Sequence, residues 1–82
     1  MKYVQPLDQT NPNAGYEDYN PSLGESEGSV VPGKAIEHPM REIVNVITAA
    51  GLIPSGNDLT QLQRAIEIIV EKKINDLIKR VP

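Results

Sequence analysis

The chain has 82 residues, a net charge of −3, three Tyr, one His, and no Cys, Phe or Trp. These features exclude disulfides, thiolate metal sites and an aromatic core, and the acidic balance excludes the basic footprint that duplex nucleic acid requires. At this size folding buries only about 60–70% of the unfolded surface, so a staple is needed, and oligomerisation is the one that remains.

The opening MKYVQPLDQ lacks a charged segment followed by an apolar run, so it does not read as a signal peptide. No window approaches the roughly 18–20 apolar residues of a membrane span. The expectation is a soluble product made in the cytoplasm. Residues 1–33 form the first predicted region, where four Pro and four Gly break every helical or strand period. Asn11-Pro12, Asn20-Pro21 and Val31-Pro32 each push the residue before Pro towards extended geometry. Two readings are open: a disordered linker, or an extended arm that orders on docking to a partner. Tyr3, Leu7, Tyr16, Tyr19, Leu23 and Val30, with Val4 and Val31, are anchors that a pure linker would not need, and they favour the arm. Lys2 is the only base in this region against five acidic groups, whereas residues 34–82 carry seven basic and six acidic ones.

Residues 34–82 are predicted to be a helical hairpin that continues into an oligomerising stalk. The first helix is expected over Pro39–Ala50, with Pro39 at the first helical position. Met40, Ile43, Val44 and Ile47 recur at helical spacing and are assigned to packing within the chain. Gly51 is the expected left-handed residue that ends this helix, and Pro54 blocks continuation. The second helix is expected over Asp58–Arg80, with Asp58 as N-cap, Gln61 completing a capping box, and Lys79 and Arg80 complementing the dipole at its end.

At about 1.5 Å per residue these helices would span roughly 18 Å and 35 Å, so the first covers only half of the second. Leu59, Leu62, Ile66, Ile69, Val70, Ile74, Leu77 and Val81 form the apolar stripe of the second helix and are assigned to an oligomer interface. Leu59, Val70 and Val81 recur every eleven residues, which suits a straight or slightly right-handed bundle. Ile-rich seams favour three or four strands over two. An ordinary amphipathic helix packing on another domain is the alternative.

Little here suggests chemistry. Asp8-x-Thr10-x-Pro12-Asn13 lacks the acidic third and fifth positions and the sixth-position Gly of a calcium loop. Glu25 and Glu27 have no framework to hold paired carboxylates, and His38 has neither an oriented partner nor a nucleophile. A helix-turn-helix would need a shorter turn and a polar recognition helix, whereas the second helix here presents Leu59, Leu62 and Ile66. No enzyme, cofactor or metal site is expected.

The order of elements carries a likeness. Gly28-Ser29-Val30-Val31-Pro32 is followed by Ala35-Ile36-Glu37-His38-Pro39-Met40-Arg41-Glu42-Ile43, then by Ala49-Ala50-Gly51-Leu52-Ile53-Pro54-Ser55, and then by Asp58-Leu59-Thr60-Gln61-Leu62. Over about residues 8–67 this resembles the N-terminal region of bacteriophage and prophage tail-fibre proteins. The resemblance implies a homotrimeric, coiled-coil-like structural protein of the virion tail. Its partners would be copies of itself and other tail or baseplate proteins, and its role would be to attach a host-binding fibre. A longer shaft and a receptor-binding tip usually follow in that family. This sequence stops at Pro82, which leaves receptor recognition outside the expectation. The alternative from the residues alone is a cytoplasmic helical dimerisation module of a regulator.

The expected fold is therefore mostly α: an extended irregular N-terminal arm, a short helix, a turn, and a long helix that assembles into a trimeric bundle.

Overall fold

A computed structural model describes residues 1–20, 22 and 28–80. Among the described residues there are two helices, α1 (Gly33–Ala49) and α2 (Gln61–Lys79), and no strand. The chain separates into two compact units, Met1–Met40 and Arg41–Pro82.

The described residues of the first unit ahead of α1 are irregular, as their Pro and Gly content dictates, but they are folded back on themselves rather than extended. Leu7 N–H donates to the Val30 carbonyl at 2.9 Å, and Ser29 N–H to the Glu17 carbonyl at 2.8 Å. The Tyr3 hydroxyl donates to the Ala14 carbonyl and the Tyr16 hydroxyl to the Val4 carbonyl, both at 2.7 Å. The two rings meet edge to face with centroids 6.4 Å apart. Val4 and Pro6 are buried. Side-chain bonds thus supply the backbone partners that a ladder would otherwise provide.

α1 begins six residues earlier than the sequence suggests, with Ala35 N–H donating to the Pro32 carbonyl at 3.0 Å. Pro39 therefore lies inside the helix, where its missing N–H withdraws the usual donor from the Ala35 carbonyl. Lys34, Ala35 and Glu37 are good helix formers, and Pro32 already supplies the fixed φ that suits a helix start. The far end is as predicted. Gly51 has φ 86°, its N–H reaches the Thr48 carbonyl (2.9 Å), and Leu52 N–H reaches the Ile47 carbonyl (3.2 Å). Those two bonds make a Schellman motif, with Leu52 packed on the core cluster that holds Ile47.

α2 begins three residues later than predicted. The Asp58 carboxylate accepts from the Thr60 N–H (2.9 Å) and hydroxyl (2.6 Å), which holds Leu59 and Thr60 in a turn. Thr60 is the N-cap, without a side-chain cap bond. The capping box is not formed either. Gln61 Nε2 donates to the Ile53 carbonyl and Gln61 Oε1 accepts from Ser55 N–H, both at 2.8 Å, so its buried carboxamide clamps the connection on either side of Pro54.

With 17 and 19 residues the helices measure about 25 Å and 28 Å, so the large mismatch in length is absent. The core of the second unit is small: Ile47, Ala50 and Ala65, with Val46, Leu52, Ile68 and Ile69 packed against it. Ala65 is fully buried, and its short side chain allows close packing.

A candidate self-association surface

Successive helical residues are about 100° apart, so α2 can be divided into faces. One face, Gln61, Ala65, Ile68 and Ile69, packs into the core cluster or clamps the connection. A second stripe, which starts beside Ile69 and runs round to the far side, carries Leu62, Ile66, Val70, Ile74 and Leu77, with Leu59 just ahead of the helix on the same line. All of these are exposed, from Leu62 at 37% to Leu59 at 96%. Every residue from Val70 to Arg80 is exposed. α2 is therefore apolar over a wide arc, of which its own unit covers one side.

Charges border the open stripe. Glu67 and Glu71 follow Ile66 and Val70 by one position, and with Ile66, Val70 and Ile74 they line a shallow depression of about 350 Å³. Lys73 and Arg80 lie three positions beyond Val70 and Leu77, on the other edge. The stripe thus has an acidic and a basic edge. A second hollow, of about 430 Å³, lies where α1, the connection and α2 meet, lined by Ile43, Val44, Ile47, Leu59 and Leu62 among others.

The positions assigned from sequence separate accordingly. Leu59, Leu62, Ile66, Val70, Ile74 and Leu77 share the open face, Ile69 turns to the core, and Val81 lies outside the described residues. Of the four residues expected to pack within the chain only Ile47 is buried; Met40, Ile43 and Val44 are exposed. For Met40 and Val44 the reason is rotational: core contact on α1 is made by Val46, Ile47 and Ala50, a face turned by more than half a right angle from the Met40–Val44 line. Ile43 shares the angular sector of Ala50 and Ile47 but stays 40% exposed, at the hollow it lines with Leu62. Spacing located the stripe on α1 but not the part of it that meets α2. Ile68 and Val46, which the spacing argument passed over, were visible only as the first apolar residue in the pairs Ile68-Ile69 and Val46-Ile47.

In the first unit Tyr3, Leu7, Tyr16, Tyr19 and Val30 are exposed, while Leu23 lies outside the described residues. Partial desolvation of the hydroxyl and the neighbouring Tyr3 raise the Tyr16 phenol above its ordinary value. The Thr60 hydroxyl and N–H hold the Asp58 carboxyl below the usual range, with Arg64 Nη1 adding to this from 2.9 Å. Among the described residues no three His, Cys, Asp or Glu side chains gather to hold a metal ion, and no helix is long and apolar enough to cross a membrane. No protein-family model, curated protein or solved structure matches the chain.

Proposed function

We propose that this chain is a structural component of a phage tail, the N-terminal part of a trimeric fibre in which α2 forms the shared stalk and the Met1–Met40 unit engages tail or baseplate proteins of the virion. The observation that carries the reading is the exposed stripe of Leu62, Ile66, Val70, Ile74 and Leu77 on the face of α2 that the chain does not cover. Fully burying such a side chain is worth about 1.5–3 kcal/mol, so removing the remaining half of each gives about 1 kcal/mol apiece. Five of them fall near the lower end of the roughly 4–15 kcal/mol that association costs. The number three comes from the tail-fibre resemblance.

Size exclusion with light scattering on the full chain is the direct test, and a mass near three chains at micromolar concentration is expected. A monomer would overturn the reading, and a stable dimer would transfer it to a regulator's dimerisation module. Ile74→Asp should dissociate the assembly while leaving helicity intact, because Ile74 is exposed in the single chain but would place an unpaired charge in the bundle.

A further inference from the structure

We propose that the self-association surface spans both helices, with Ile43 and Val44 of α1 and Leu59 of the connection joining the α2 stripe, and that its occupant is α2 of a second copy lying parallel to the first. The proposal rests on the self-association reading above and gives it a shape and a direction.

Three observations carry it. First, the hollow lined by Ile43, Val44, Leu59 and Leu62 makes the exposed apolar residues of α1 and α2 one continuous surface. Second, Leu59 is 96% exposed at the rim of that hollow, and the α2 stripe without these neighbours only reaches the lower end of the association cost. Third, the edges are complementary to each other within one chain. In a parallel cyclic assembly the Glu67/Glu71 edge of one α2 faces the Lys73/Arg80 edge of the next. In an antiparallel pair like edges meet, and Glu faces Glu. Asp76 lies further round on the basic side, four residues before Arg80.

Full-length Val44→Asp, Leu59→Asp and Ile74→Asp should each assemble at least about tenfold more weakly than wild type in a light-scattering dilution series, since each places an unpaired charge in the contact. Helical circular dichroism should stay at the wild-type level, because all three side chains are exposed in the single chain. If Val44→Asp and Leu59→Asp assemble like wild type while Ile74→Asp dissociates, the two-helix face is overturned and the α2 stalk stands. If Ile74→Asp also assembles like wild type, the stalk falls as well. Direction has its own readout: Glu71→Lys should weaken assembly about two- to fivefold and Glu71→Lys with Lys73→Glu should restore it, as expected for exposed pairs. Tighter assembly of Glu71→Lys alone would overturn the parallel arrangement.

Discussion

Two glycines show how differently a single hydrogen can matter. Gly51 (φ 86°) and Gly28 (φ 81°) both sit where L side chains rarely go. Around Gly51 a Cβ would meet nothing within 4 Å, so Gly51→Ala should cost only the backbone term, about 1–2 kcal/mol in thermal or urea unfolding. At Gly28 a Cβ would come within 2.7 Å of the Tyr19 nitrogen, so Gly28→Ala adds a clash to the same backbone strain. It should unfold the first unit more easily, as followed by the tyrosine signal. Asp58 gives a pH dependence of known sign. Its carboxyl is held low in the folded chain, so the stabilisation it brings is present above about pH 4 and lost as the pH falls through the folded value. Melting temperatures of wild type and Asp58→Asn should therefore differ at neutral pH and converge in acid.

At the scale of elements, Pro39 separates two accounts of α1. Placed at the first helical position it would favour the helix, and replacement would be neutral or harmful. Inside the helix it removes a bond, so Pro39→Ala should stabilise α1 by up to about 3 kcal/mol, read as a higher melting temperature and stronger helical dichroism. The helices themselves were legible because apolar spacing and the Ala-Gly-Leu ending are local signals. The Schellman turn at Gly51 was legible for the same reason. The start of α1 was hidden because Pro39 is a strong marker of a first turn, and nothing local says that Pro32 has already filled that role. Gln61 was read by its distance from Asp58. Its actual partners, Ile53 and Ser55, lie on a connection whose path is set only once both helices are placed. Most of the residues assigned to the α2 stripe are exposed, whereas Ile69 went to the core because two adjacent apolar residues leave the rotation of a helix undetermined.

For the whole molecule the uncovered faces matter more than the core. A cluster of Ile47, Ala50 and Ala65 is small for the Arg41–Pro82 unit, so that unit should melt at a temperature that rises with protein concentration if copies stabilise one another. The two units also differ in how far apart along the chain their contacts lie. The second unit is closed by short links: Leu52 to Ile47, Gln61 to Ile53 and Ser55, and Arg64 to Asp58. The first depends on longer ones, Leu7 to Val30 and Ser29 to Glu17. Low contact order means fast closure, so the Gln61-clamped hairpin should form early and at a rate independent of concentration. Subunits would then meet as finished hairpins rather than as unfolded chains, and Gln61, buried at the base of the hollow beside Leu62, would set how quickly the partners become available.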